Sequence, residues 1–267
     1  MITWNFIGAA LIEENFEKTS VLGVRVDLIG LDELIQYMVL IVREQKKAMI
    51  AYVNVHAVNL ALQQPWFKNF INQSQVVFCD GFGVKWAAHF LHGKVLQRFT
   101  PPDWFGRLAA ECTEHEITLF FLGTQQAVVE RAASGLKEKY PLLKIVGVHH
   151  GFFDKEPMGA ENLHVVAMIN SVHPQLLVVG FGMPAQEKWI LDNWDQLQVN
   201  VVIPVGAFFD YLAGDVVRAP RWMTDHGLEW LGRLVIEPRR LWRRYLLGNP
   251  IFLWRVLLQR FGWLHIE

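Results

Sequence analysis

From residue 117 onward, short apolar runs alternate with longer segments whose apolar positions recur at helical spacing. The runs at 117–122, 143–148, 176–179 and 199–203 predict strands. The segments at 125–139, 160–172 and 184–192 predict helices. Upstream the pattern is the same but less regular. A strand is expected at 21–26, and a helix at 31–43 that starts on Asp32-Glu33. A second strand at 49–53 ends at Asn54, followed by a helix at 56–63 and another opened by Pro65. The run 76–80 ends in Asp80-Gly81 before a helix at 84–91. The loop 97–104 opens a further helix, because proline suits a first helical turn. Strands alternating with helices of this length predict βαβ units, a mostly parallel sheet and helices on both faces. After Arg218 the strand signals stop, and helices are expected at 220–235, 238–247 and 250–261. Three parts follow: an extension over 1–20, an α/β body over 21–215 and a helical appendage over 216–267.

Charge sharpens that last boundary. The net charge of −1 over 267 residues hides a division. Residues 1–217 carry 16 Lys and Arg against 22 Asp and Glu, whereas residues 218–260 carry nine Arg against three acids. Trp222, Trp230, Trp242, Trp254 and Trp263 lie in or just beyond this basic segment. No window is both long and charge-free enough to span a bilayer, and no basic start precedes an apolar run as in a signal peptide. Cys79 and Cys112 form no metal-type pair and read as reduced core thiols of a cytosolic protein.

Candidate chemistry lies where strands end. Asp80 sits at the carboxyl end of a strand, where open α/β sheets bind ligands, and reads either as a working carboxylate or as a cap for the next helix. Gly180-Phe181-Gly182-Met183-Pro184-Ala185 matches G-x-G-x-x-A, the phosphate turn of a Rossmann-like sheet. No acid stands at the end of the next strand to hold a ribose, which disfavours a nicotinamide cofactor. Gly123, Gly180 and Gly206 end three strands, either as turn residues or as amides for a phosphate. Gln186 suits a sugar hydroxyl or a uracil edge, and Glu187 favours a helix N-terminus. His149-His150 on a strand would point to opposite faces and makes a poor metal pair. On the helix at 238–247, Arg239, Arg240, Arg243 and Arg244 cover one arc, and Leu241, Trp242, Tyr245 and Leu246 the other. That composition fits an anionic membrane surface. No nucleic-acid-binding motif accompanies it, so nucleic acid is not an expected partner.

Several ordered blocks then carry a specific resemblance. They are Asp80-Gly81-Phe82-Gly83, Gln97-Arg98-Phe99-Thr100, and Gly147-Val148-His149-His150-Gly151-Phe152-Phe153. Further along come Gly182-Met183-Pro184-Ala185-Gln186-Glu187-Lys188-Trp189-Ile190 and Phe209-Asp210-Tyr211-Leu212-Ala213-Gly214. The last are Arg218-Ala219-Pro220-Arg221-Trp222, Gly227-Leu228-Glu229-Trp230 and Glu237-Pro238-Arg239-Arg240. From about Val21 to the C-terminus the chain resembles the WecG/TagA/CpsF family of bacterial glycosyltransferases. The resemblance implies inverting transfer of a sugar from a UDP-sugar to a polyprenyl-diphosphate-linked sugar, without a metal or other cofactor. It implies action in cell-surface or exopolysaccharide assembly, in the cytoplasm and peripheral to the inner face of the cell membrane. It makes Asp80 the general base, with Arg218 and Arg221 acting at the diphosphate. Asn54, Arg98, Gln186, Asp210 and Arg233 join the three glycines as substrate-binding residues. A homo-oligomer is among the partners left open.

The chain also departs from the family pattern. Tyr52-Val53 stands where many members have Thr-Pro, and Gly206-Ala207-Phe208 where many have Gly-Gly-Ser. Phe208 is expected to crowd the nucleotide site and to alter donor choice. These departures motivate the alternative of a non-catalytic nucleotide-sugar-binding partner of a membrane assembly complex.

Overall fold

A computed structural model describes residues 16–264, so most of the expected extension lies outside the described residues. The sheet contains β3 (Ala48–Val53), β4 (Val76–Cys79), β5 (Thr118–Gly123), β6 (Lys144–His149), β7 (Leu176–Gly180) and β8 (Val201–Pro204). Its spatial order is β4-β3-β8-β7-β5-β6, with every neighbouring pair parallel. The fold is therefore α/β and Rossmann-like. All strand carboxyl ends lie along one edge.

Both sheet faces are covered, which is why β3, β7 and β8 are continuous apolar runs. On one face Ile50, Phe78, Leu119, Val178 and Ile203 pack under α1 (Leu31–Arg43), α5 (Pro101–Glu114), α6 (Gln126–Lys139) and the short α9 (Phe208–Leu212). On the other, Met49, Val77, Phe120, Val179 and Val202 pack under α2 (Val55–Gln63), α3 (Pro65–Gln73) and α4 (Phe82–His92). There they also meet α7 (Ala160–Ser171) and α8 (Ala185–Asn193). The helix after β5 thus lies on one face and the helix after β7 on the other. That divergence opens a crevice between neighbouring strand ends, the place where open α/β sheets take ligands.

The structure changes three expectations about elements. The strand expected at 21–26 is a hairpin, β1 (Lys18–Val21) with β2 (Val24–Asp27). Leu22 and Gly23 both take positive φ, 53° and 70°, as a two-residue hairpin turn requires. The helix expected at 220–235 is broken at Gly227 (φ 76°) into α10 (Arg221–Asp225) and α11 (Glu229–Ile236). The helices expected at 238–247 and 250–261 are instead continuous. After α12 (Pro238–Trp242), a π-helical turn at Arg243–Leu247 leads straight into α13 (Gly248–Arg260). Pro250 lies just past the π turn, near the start of α13.

The last helix is tied to the body. Phe252 and Val256 of α13 are buried in the second core beside α2 and α4. Among the described residues no helix is long and apolar enough to cross a membrane.

Candidate active site

The end of β3 turns into α2 at Asn54, whose side chain makes two contacts. Its Oδ1 accepts the amide of Ala57 at 3.1 Å as a helix N-cap, and its Nδ2 donates to Asp80 Oδ2 at 2.9 Å. One residue therefore starts a helix and aims a carboxylate. Asp80 lies one position beyond β4, with its amide bonded to the Val53 carbonyl at 3.0 Å. The next residue has to be glycine, because a Cβ on Gly81 would sit 2.7 Å from that of Asn54. Asp80 does not cap α4: that N-cap is Gly81, with no side-chain hydrogen bond.

Burial pushes the Asp80 carboxyl up to about 6. The Asn54 hydrogen bond opposes this rise, Glu229 adds to it, and Arg98 and Arg244 pull it back down. Arg98 reaches the site from the loop before α5 and bonds Glu229 Oε2 at 3.4 Å and the Thr224 carbonyl at 3.3 Å. Arg218 holds Asp103 with both terminal nitrogens, at 2.5 and 2.8 Å, and Thr100 Oγ1 at 3.1 Å. Burial alone would raise Asp103, but these bonds outweigh it and hold its carboxyl low. Arg218, expected at the diphosphate, straps the segment after α9 to the start of α5 through these bonds. Arg233 lies with its guanidinium 5.9 Å from the Tyr211 ring centre, while Arg221 is exposed at the start of α10.

Arg244 is the residue that the sequence pattern misplaced. A regular helix puts it on the outer arginine arc, but in the π turn it is half-buried and acts electrostatically on Asp80, Tyr52, His56 and Glu187. His56 is pushed down to about 4, by burial first and by Arg244 second. The Nε atoms of Arg218, Arg233 and Arg244 are buried without a hydrogen-bond acceptor. The opposite arc changes too: Leu241 and Tyr245 are buried, whereas Trp242 and Leu246 face outward among Arg239, Arg240 and Arg243.

A second cluster lies at the ends of β7 and β8. Gln186 is wholly buried. Its Oε1 accepts the amides of Gly206 (3.0 Å) and Gly182 (3.2 Å), and its Nε2 donates to Tyr52 Oη (3.1 Å) and Glu187 Oε1 (2.8 Å). All four of its hydrogen-bonding positions are used. Expected to meet a sugar or uracil, it bonds the two loops to each other, taking the amides of Gly182 and Gly206. Gly123 and Gly180 are close-approach residues, since a Cβ on Gly123 would lie 2.5 Å from the Gly180 carbonyl oxygen. Asp210 accepts Thr124 Oγ1 at 2.6 Å and anchors the loop after β5.

Two other expectations fail here for physical reasons. Phe208 does not crowd this edge: it is buried in the core, 4.5 Å from the Phe105 ring. His149 and His150 do not diverge, because β6 ends between them and their rings lie 4.3 Å apart. Glu187 does stand in the first turn of α8, but buried. It is 2% exposed, Oε2 has no partner, and burial pushes its carboxyl up to about 7.

This last shift has a sign that can be tested. A carboxyl raised on folding stabilises the fold below its unfolded value, and that contribution is lost as pH rises through the folded value. The window here is about 4.5 to 7. Glu187→Gln is expected to flatten the pH dependence of stability across it, a change of roughly 3 kcal/mol. Urea melts at pH 5 and pH 8 measure it; an unchanged slope would show that Glu187 is charged in the fold.

The geometry can hold one activated carboxylate against a group of arginines. The sequence profile described as "Glycosyl transferase WecG/TagA/CpsF family" matches residues 19–265. Similar proteins include the N-acetylglucosaminyldiphosphoundecaprenol N-acetyl-beta-D-mannosaminyltransferases of Staphylococcus aureus strains NCTC 8325 / PS 47 and COL. Each is 28% identical over 244 residues, which cover 91% of this chain and 93% of the relative. The fold and the profile agree: the chain belongs to the WecG/TagA/CpsF family and is a glycosyltransferase.

Proposed function

We propose that the protein is an inverting transferase that moves a hexose or N-acetylhexosamine unit from a UDP-sugar to a sugar carried on polyprenyl diphosphate. The observation that carries this reading is the Asp80 carboxylate, aimed by Asn54, pushed up to about 6 and facing Arg98 and Arg244. The relatives' names, which specify a diphosphoundecaprenol-linked N-acetylglucosamine, support the class of acceptor.

In this reading Asp80 takes the proton of the acceptor hydroxyl as that oxygen attacks the anomeric carbon. The bond to the UDP oxygen breaks on the opposite face, so the configuration inverts. Negative charge then grows on the leaving diphosphate. Guanidinium groups with desolvated, unpartnered N–H groups suit that charge, and Arg244 and Arg233 supply them. Arg98 and the exposed Arg221 add positive charge around the entrance. Arg218, locked to Asp103, keeps the segment after α9 closed over the body. Gln186 and Asp210 hold the loops bearing Gly123, Gly180 and Gly206 in place for the donor. Full-length protein incubated with a panel of UDP-sugars and N-acetylglucosaminyl-diphosphoprenol should form a disaccharide-lipid product. No product with any donor would overturn the reading.

The segment 216–267 acts in this reading as the membrane-associating part, peripheral to the inner face. Its exposed Trp222, Trp254, Phe261 and Trp263 alternate with exposed arginines, the composition of an interfacial helix. Truncation is a poor test, because it would strip Phe252 and Val256 from the core. Trp254→Ser with Trp263→Ser should instead weaken binding to phosphatidylglycerol vesicles about tenfold, with an unchanged melting temperature. Undiminished binding would place the anchor elsewhere.

A further inference from the structure

Helix α4 begins two residues after Asp80 and carries Phe82, Trp86 and Phe90 at i, i+4 and i+8, a single stripe along one face. Phe82 is 43% exposed and Trp86 37% exposed, although both are large aromatic groups on a helix packed into the core. The Trp86 and Phe90 rings are stacked, with centroids 5.1 Å apart and planes 10° from parallel. From Phe82 to Phe90 the stripe runs about 12 Å.

The stripe is flanked by C-terminal elements. At the Phe82 end the α10–α11 turn lies against the ring so closely that a Cβ on Gly227 would be 2.6 Å from it. At the far end the Arg260 guanidinium of α13 lies 5.9 Å from the Phe90 ring centre. Helix α13, which packs beside α4, also exposes Ile251, Leu253 and Trp254. From Gly81 to Pro102 the chain has no acidic residue and carries Lys85, Lys94 and Arg98. One end of the stripe thus begins two residues from Asp80, against the Gly227 turn, and its other end meets Arg260 of the helix that bears Trp254.

We infer that this stripe holds the first isoprene units of the acceptor, leading the prenyl chain from the diphosphate near Asp80 out to the membrane. A branched, unsaturated hydrocarbon fits against aromatic faces, and burying it there contributes binding in proportion to chain covered. Lys85 of the same helix and Arg98, which Glu229 partners, supply positive charge for the diphosphate at its head. A stripe made only to anchor the protein would have no need to start at Asp80. This inference rests on the transferase reading above.

The test compares N-acetylglucosaminyl diphosphate acceptors that carry a dimethylallyl or a farnesyl tail, with full-length protein in the absence of vesicles. The wild type should prefer farnesyl in kcat/KM, and both Trp86→Ala and Phe82→Ala/Trp86→Ala should reduce that preference about tenfold or more. Circular dichroism melts identify a variant that has lost its fold, and Trp86→Ala alone then decides. A diazirine-bearing farnesyl diphosphate, which needs no turnover, should label the tryptic peptide 86–94. Equal use of both tails by the wild type, an unchanged preference in the variants, or labelling only on α13 would each overturn the inference. So would variants that lose vesicle binding but keep the farnesyl preference, since membrane lipid would then be the occupant. Failure of the wild type to use any acceptor counts against the transferase reading itself, and the labelling result still decides the stripe.

Discussion

Asp80→Asn is expected to lower the transfer rate by about 10²–10⁴-fold, the usual contribution of a general base. The substitution keeps the size of the side chain and removes the proton acceptor. Asn54 Nδ2 would then face either the amide oxygen or, after a flip, the amide nitrogen of residue 80, so the strand-end geometry changes little. Folding should tolerate the change and even benefit, because a carboxyl that burial pushes up to about 6 is costly to ionise in place. The signature is therefore an inactive protein with an equal or higher melting temperature. An active Asp80→Asn protein would remove Asp80 as the base, and an inactive protein that had also unfolded would leave Asn54→Ala as the comparison to make.

Arg244→Ala should have the second-largest effect, a fall in kcat of about 10²–10³-fold, the size seen when one preorganised donor to developing charge is lost. The position of Arg244 sets this size. In the π turn its Nε is buried without an acceptor, and its charge reaches Asp80, His56 and Glu187. Two further consequences separate this from simple loss of packing. Arg244 lowers the Asp80 carboxyl, so its removal should shift the acid side of the rate profile to higher pH. Arg244→Lys should restore part of the charge effect but not the planar fork. Arg239→Ala, on the exposed side of the same helix, is the control and should change turnover little. Equal losses in the two alanine variants would contradict a special role for Arg244.

The sequence pattern was informative where local chemistry and tertiary packing agree. Helix α1 is found at Leu31–Arg43, where acids open it, an arginine closes it and its apolar period is unbroken. The parallel sheet followed from continuous apolar runs ending in glycine, asparagine or aspartate. At the site, Asp80 was recognisable from its place at a strand end, and Asn54 only through the family resemblance. Their mutual hydrogen bond was not, since it depends on which strands are neighbours. Gln186 and Glu187 sit side by side in sequence and were legible only as residues of a helix start. The helix enters beneath the Gly206 loop, so both are buried. Phe208 looked obstructive until the direction of α9 turned it into the core. Arg244 escaped because a 100° step per residue does not hold through a π turn. Glu229 escaped for another reason: only the break at Gly227 brings α11 back over Arg98.

The central claim is that a single buried carboxylate at the strand edge accepts the acceptor's proton. The pH dependence of kcat/KM, which reports groups of the free enzyme, tests it most directly. Activity should rise with pH through a midpoint near 6, because Asp80 works only when ionised and burial holds its carboxyl there. The midpoint should persist in Glu187→Gln. A profile flat from pH 5 to 8, or a midpoint that Glu187→Gln abolishes, would contradict the assignment of Asp80 as the base.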